Sequence, residues 1–324
     1  VTRTPLRTGV VGVGSMGRNH ARVYRELAGT TLVGVADADP AAADSVATEY
    51  EAEPYATAAL LDHVDAVSVA VPTPFHASVV ERCIEAGVDV LVEKPFVEDP
   101  QRGRELAAAA EAAGVVIQVG HVERFNPAVR TLASIVPDLD VMAVTADRLS
   151  PPDDRDIGDG VVYDLMIHDI DVVCSLLDAD PVSLSATRAA DGEYATATCQ
   201  FDGGVLASLT ASRVTQQKVR KLAITARECR VTLDFLDQSV EIHRSSTPEY
   251  VSANGDLRHR VESVIERPLV EHAEPLKREL AAFADAVRDG TDPVVTADDG
   301  VRAVEIASRI ADGIPAEDHR EVRQ

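Results

Sequence analysis

Short apolar runs and helix-spaced segments alternate through the first part of the chain. Valine-rich runs recur at 6–11, 31–36, 65–71, 88–92 and 115–119. Between them, apolar positions at helical spacing predict helices over 16–27, 40–49 and 58–63, a helix that runs to 86, and an alanine-rich helix over 100–113 closed by Gly114. A short valine-rich run after a helical segment reads as a buried parallel strand. Pro95 cannot continue a ladder, so the strand from 88 should stop beside it. Repeated βα units of this size predict a doubly wound parallel sheet.

The second half is patterned differently. Helical periodicity runs from Val161 to about Leu177, and alternating segments follow at 194–201, 205–211, 219–226, 229–235 and 240–243. Asp202-Gly203-Gly204 reads as a hairpin turn between the first two. One face of this sheet should bury Ala, Val and Leu, and the other could pack on a partner sheet in a homodimer or homotetramer. Residues 246–262 are polar and read as a loop. A long amphipathic helix should run from 274 to 288 and a last one from 298 to 311, with a disordered tail of about ten residues beyond. The expected division is 1–122 and 123–324, with no internal repeat.

The first predicted strand ends in Gly12-Val13-Gly14-Ser15-Met16-Gly17, a helix and a strand follow, and Asp37 closes that strand. Gly12 permits a tight turn, Gly14 lets a pyrophosphate approach the backbone, and Gly17 lets helix and strand pack closely. The N–H groups that open the helix, near Ser15 and Met16, bind the pyrophosphate. Asp37 stands where an acid accepts the ribose hydroxyls of NAD and repels the 2′-phosphate of NADP. Two further predicted strand ends share this edge, where open α/β sheets bind ligands. One carries Pro72-Thr73-Pro74-Phe75-His76, which should line the cofactor crevice. The other carries Glu93-Lys94-Pro95. Four of the 31 basic residues are lysines. A lysine where arginine is the default cation points to chemistry that needs an amine able to change protonation.

Net charge is −23. So acidic a surface repels nucleic acid and anionic membranes. Few lysines, many acids and no Trp resemble proteins of salt-loving organisms, whose carboxylate surfaces salt screens. Cys83, Cys174, Cys199 and Cys229 form no CxxC, suit neither a zinc knuckle nor a disulfide framework, and read as buried free thiols. No metal site is expected. No apolar stretch is long enough for a membrane span, and a first strand near Leu6 leaves no room for a signal peptide. The expectation is a soluble, cytoplasmic protein.

Two later segments carry candidate ligand groups. In Gly120-His121-Val122-Glu123-Arg124-Phe125-Asn126-Pro127, Arg124 offers a fork for phosphate or carboxylate, or an interdomain salt bridge, and Asn126 suits a helix cap before Pro127. Arg155 is a further candidate for pyrophosphate. In the helix after 161, Asp164 and His168 are i and i+4 and should share one face. Such a pair can polarise a hydroxyl, although at this spacing alone it is usually an ordinary helix contact. Tyr163 could line a pocket or the core. Asp169 and Asp171 should face solvent or cap local structure.

The glycine turn, the Pro-Thr-Pro-Phe-His loop and Glu93-Lys94-Pro95 together resemble the Gfo/Idh/MocA family of NAD(P)-dependent sugar and polyol oxidoreductases. The resemblance covers nearly the whole chain. It implies an N-terminal Rossmann domain and a C-terminal α/β domain with a mostly antiparallel open sheet that carries substrate residues and the oligomer interface. It implies Lys94 beside the nicotinamide and the substrate hydroxyl, and, through an Asp-x-x-x-His motif, Asp164 and His168 as the rest of the catalytic group. Cofactor contacts are then expected at Gly12, Gly14, Ser15, Met16, Gly17 and Asp37, and at Pro72, Thr73, His76, Glu93 and Lys94. Substrate contacts are expected at Arg124, Asn126, Tyr163 and His168. The segment 120–127 resembles the subgroup acting on UDP-N-acetylhexosamines, which oxidises the sugar 3-hydroxyl. The expected activity is NAD-dependent oxidation of that hydroxyl on UDP-N-acetylglucosamine or its uronate. The alternatives are a free-sugar or inositol dehydrogenase, and a nonenzymatic NAD-sensing regulator that has kept Lys94, Asp164 and His168.

Overall fold

A computed structural model describes residues 4–152, 160–245, 249–253, 256–260 and 262–313. They form two compact units, one within residues 4–126 and 273–305 and one within 127–272 and 306–313.

In the first unit, strands β1 (Leu6–Val11), β2 (Thr30–Ala36), β3 (Glu53–Tyr55), β4 (Ala66–Val69), β5 (Asp89–Glu93) and β6 (Ile117–Gly120) alternate with helices α1 (Ser15–Glu26), α2 (Pro40–Tyr50), α3 (Thr57–Leu61), α4 (His76–Ala86) and α5 (Pro100–Ala113). All pairings are parallel, in the order β3-β2-β1-β4-β5-β6. This is the doubly wound order expected from the βα repeats, with a topological switch between β1 and β4. The helix starts are chemically specified. Asp39 caps α2 by accepting the Ala41 amide at 2.9 Å, Asp99 caps α5 by accepting that of Gln101 at 3.0 Å, and a proline follows each cap. Strand residues alternate between two cores: Val90 and Val92 pack with Val80, Ile84 and Leu106, whereas Leu91 packs with Tyr24 and Val35.

The second unit holds helix α6 (Pro127–Ile135), strand β7 (Val141–Leu149), a widened helical turn at Val162–Met166 continuing into α7 (Ile167–Leu177), and strands β8 (Pro181–Ala189), β9 (Tyr194–Phe201), β10 (Leu206–Ser212), β11 (Val219–Ala226), β12 (Arg230–Asp234) and β13 (Ser239–Ser245). Beyond them lie β14 (Glu249–Ala253), β15 (Asp256–Arg260) and β16 (Ser263–Glu266). The eight-stranded sheet runs β16-β13-β12-β11-β7-β10-β9-β8, antiparallel except for β7 with β10. Its buried face carries Val144, Leu209, Leu222, Ile224, Val231 and Leu233 under α6 and α7. From α6, the widened turn and α7, Leu132, Met166, Ile167 and Ile170 are almost completely buried, and each stabilises the unit by about 1.5–3 kcal/mol. The other face is partly exposed and carries Thr145, Thr196, Thr198, Thr210 and Thr232.

Three expectations need correction. Residues 246–262 are not simply a loop: β14 pairs with β15, and residues from 263 on add an edge strand to the sheet. Every residue of β16 is exposed, so it lacks the half-buried alternation by which a strand is recognised. The helix at 275 does not belong to the second unit. Helix α8 (Pro275–Asp289) packs Leu280 and Phe283 into the core of the first, against Tyr24. An amphipathic pattern marks a face to be buried but not its partner. Helix α9 (Ala297–Asp312) follows, and its residues through Glu305 also belong to the first unit.

The third correction concerns Asp169 and Asp171, which are buried rather than solvent-facing. Arg148 of β7 donates Nε to Asp169 Oδ2 at 3.0 Å and Nη2 to Oδ1 at 2.8 Å. The same guanidinium lies 5.0 Å from the Phe235 ring centroid. All four cysteines are free and buried, and burial pushes the Cys83 thiol up to about 12, so it is almost wholly unionised at neutral pH. Among the described residues no helix is long and apolar enough to cross a membrane. Asp169→Ala removes the two-pronged carboxylate partner of the buried Arg148 and is expected to destabilise the second unit by about 3–5 kcal/mol. Denaturant unfolding monitored by circular dichroism measures this, and a loss below about 1 kcal/mol contradicts the assignment of the pair as buried and structural.

Candidate active site

Three loops meet the carboxyl edge of the parallel sheet, after β1, β4 and β5. The first is the glycine turn. Gly12 has φ +86°, and a Cβ there would stand 2.7 Å from the Ala70 carbonyl. A Cβ on Gly17 would overlap the Gly12 oxygen, whereas nothing lies within 4 Å of one on Gly14. So Gly12 and Gly17 are fixed by packing, and the space over Gly14 is open for a ligand. Ser15 and Met16 are exposed at the start of α1, where the first-turn N–H groups lack intrahelical acceptors and favour an anion. Asp37, just past β2, accepts the Val13 amide at 2.7 Å through Oδ2 and the Asp39 amide at 2.9 Å through Oδ1. Its carboxylate is therefore oriented before any ligand arrives, with a second lone pair on each oxygen for ribose hydroxyls. These residues fit a dinucleotide.

The second loop runs from Pro72 to Phe75, with Pro72 exposed and Thr73 half-buried. His76, expected among the cofactor contacts, is 1% exposed. Its Nδ1 lies 2.8 Å from the Pro95 oxygen and its Nε2 2.8 Å from the Val71 oxygen. Both ring nitrogens are thus directed at backbone, and the ring ties the second loop to the third.

The third loop carries Lys94, half-buried directly after β5. Glu93 is buried, and its Oε1 lies 2.9 Å from Nε2 of the fully buried His20 on α1. Its Oε2 accepts the Lys94 amide at 3.3 Å. Burial pushes the Glu93 carboxyl up, but the His20 hydrogen bond and the charges of His20 and Lys94 outweigh it and hold the group below the usual carboxylate range. His20 was missed from sequence. The available signal was its place on the inward face of α1 with Gly17, Ala21 and Tyr24, since a histidine on a buried face needs a polar partner.

Arg124 Nη2 lies 3.4 Å from the Val294 oxygen and 3.6 Å from Asp299 Oδ2, both in the first unit. Asn126 is buried and donates Nδ2 to Glu123 Oε2 at 3.1 Å. Arg155 lies outside the described residues.

In the second unit Tyr163 and Asp164 stand in the widened turn and His168 in the first turn of α7, all half-buried. The turn at Val162–Met166, which carries Asp164, is wider than α-helical, and His168 lies in the α-helix that continues it. Asp164 pairs with Arg213, whose Nη2 lies 3.0 Å from Oδ2. Arg213 follows β10 and also donates its amide to the Glu193 oxygen at 2.9 Å. No sequence signal links Arg213 to Asp164. Their pairing depends on where the β10 edge meets the turn before α7.

Residues 6–121 match the family described as an oxidoreductase family with an NAD-binding Rossmann fold, and residues 141–242 match the GFO/IDH/MocA C-terminal domain. A UDP-N-acetylglucosamine 3-dehydrogenase of Acidithiobacillus ferrooxidans is 32% identical, over 88% of this chain and 92% of its own length. A solved structure of UDP-N-acetylglucosamine 3-dehydrogenase from the same organism has a TM-score of 0.88 at 30% identity, covering 96% of this chain and 98% of that one. An inositol 2-dehydrogenase of Rhizobium meliloti is 28% identical, over 93% of this chain and 94% of its own. Carrying the two-domain architecture of these oxidoreductases, with the glycine turn, Asp37 and Lys94 on one sheet edge, the chain belongs to the Gfo/Idh/MocA family.

Proposed function

We propose that the protein is an NAD-dependent dehydrogenase that oxidises the 3-hydroxyl of UDP-N-acetylglucosamine, or of its uronate, to a ketone. The observation that carries the dehydrogenase reading is the placement of Lys94 on the same sheet edge as the glycine turn and the oriented Asp37 carboxylate. The substrate reading draws its support from the relative at 32% identity. Bound NAD supplies the hydride acceptor. Gly12, Gly14, Ser15, Met16, Gly17, Asp37, Pro72 and Thr73 hold it. His168 accepts the hydroxyl proton, because imidazole is the side chain whose unperturbed affinity for a proton lies nearest neutral pH. Lys94 stabilises the negative charge that develops on the sugar oxygen. Asp164, ion-paired to Arg213, orients the imidazole, and Tyr163 contacts the sugar. The open, threonine-bearing face of the eight-stranded sheet suits a homodimer or homotetramer, which light scattering measures.

Mixing the purified protein with NAD and UDP-N-acetylglucosamine, in low and in high salt, is expected to produce nicotinamide absorbance and a sugar two hydrogens lighter by mass spectrometry. Turnover of inositols with no reaction on the nucleotide sugar would retain the dehydrogenase and overturn the substrate. Lys94→Met is expected to lower turnover by at least about 100-fold while NAD still binds, as measured by titration calorimetry; near-wild-type turnover rules out a catalytic Lys94. Asp37→Asn is expected to narrow the preference for NAD over NADP by about tenfold or more, since it removes one charge facing the 2′-phosphate. An unchanged ratio of kcat/KM for the two cofactors would show that Asp37 does not set it.

A further inference from the structure

Lys94 is flanked by two residues that are each held by a buried histidine. On its amino side, Glu93 Oε1 lies 2.9 Å from His20 Nε2. On its carboxyl side, the Pro95 oxygen lies 2.8 Å from His76 Nδ1. The two rings are 0% and 1% exposed, so water does not compete for either contact. A hydrogen bond shielded in this way holds geometry more firmly than one at the surface.

Each histidine belongs to an element that begins at a cofactor loop. His20 lies on α1, the helix that starts at the glycine turn. His76 opens α4 directly after the Pro72–Phe75 loop, and its second nitrogen holds the Val71 oxygen at the start of that loop. The strand end at Glu93 is packed to receive this arrangement. A Cβ on Gly120 would stand 3.1 Å from Glu93 Cα and 3.2 Å from its Oε2, so the glycine leaves room for the carboxylate to turn back beneath Lys94.

We propose that His20 and His76 are positioning residues for hydride transfer, gripping the peptide on either side of Lys94 and tying its placement to the two loops that hold the dinucleotide. The proposal rests on the role given to Lys94 above. Neither ring touches the reacting atoms in this assignment. Their effect comes through the geometry of Lys94, and a shift of about 1 Å in a reacting group costs about 100-fold in rate.

The test uses the small number of lysines. Reductive methylation with 13C-formaldehyde labels Lys94, Lys218, Lys221 and Lys277, and the exposed Lys218 serves as the reference. In the wild type without cofactor or substrate, the Lys94 resonance is expected to stand apart from that of Lys218. In His20→Leu and His76→Leu it is expected to move toward the Lys218 position while the other three stay. An unmoved Lys94 resonance in both variants overturns the proposal. Where turnover is measured, kcat is expected to fall about 100-fold with NAD affinity retained, and His20→Gln, which keeps a donor facing Glu93, is expected to recover most of the loss. Loss of NAD binding in step with kcat overturns the proposal, because the histidines would then serve the cofactor site itself. If neither leucine variant folds, wild-type protein labelled with 15N-histidine decides. A His76 ring proton protected from exchange with water supports the grip, and one that exchanges as in a free histidine removes it. The labelled-lysine and histidine spectra need no substrate, so an inactive wild type would count against the function proposed above and leave these results standing.

Discussion

The depth at which helix α1 meets the sheet governs the first unit. A side chain on Gly17 would overlap the Gly12 carbonyl, so the helix lies as close to β1 as two backbones allow. Several features follow from that approach. The N-terminal amides of α1 converge on the open space over Gly14. One turn further, His20 reaches across to Glu93 on β5. Tyr24, another turn on, is fully buried with its hydroxyl 2.9 Å from Ser68 Oγ on β4. Residues 17, 20, 21 and 24 form one inward face, and its composition changes from glycine at the ligand end to a large aromatic at the far end. The same face that brings the helix close therefore also carries the polar link to the lysine loop.

The second unit fixes its chemistry by a different device. Helix α7 is anchored to the sheet by a buried, two-pronged ion pair between Asp169 and Arg148, with Phe235 against the guanidinium. Removing two charges from water is costly unless each finds hydrogen-bonding partners, and the two-pronged geometry supplies them. Asp164 lies little more than one turn before this anchor and pairs with Arg213 in a more exposed setting. One arginine is thus buried in its pair and the other is partly exposed beside Asp164. The widened turn between them presents Tyr163 and Asp164 on a backbone that departs from α-helical geometry, a departure common at functional sites.

What could be read from sequence, and what could not, follows from the range of each interaction. The parallel sheet was legible because its strands are buried on both faces and its helices carry their own caps, at Asp39 and Asp99. The glycine turn and Asp37 were legible because a tight turn, a close approach and an acid at a strand end are local demands on residue type. Contacts across the fold were not. Nothing near Asp164 announces Arg213, which is 49 positions away. Asp169 reads as a surface acid until β7 places Arg148 beneath it. The partner of α8 was invisible for the same reason, since Leu280 and Phe283 specify a buried face and not which core receives it. Strand β16, exposed throughout, depends on the backbone of β13 and carries no pattern of its own.

The charge of the molecule sets a problem that the cofactor half answers in its backbone. A net charge of −23 generates a field that opposes an anionic dinucleotide, and Asp37 adds a carboxylate at the rim. Long-range repulsion of this kind is screened over about 8 Å at physiological ionic strength and over shorter distances in stronger salt. Hydrogen bonds at contact distance are screened far less. Binding through the amides at the start of α1, with the oriented Asp37 accepting hydroxyls, relies on the interactions that salt leaves intact. A site built from clustered surface lysines would weaken as the salt that relieves the molecule's self-repulsion rises. The one lysine at this sheet edge, Lys94, is held over a buried Glu93 that offsets its charge, which suits a group placed for chemistry more than for attracting anions.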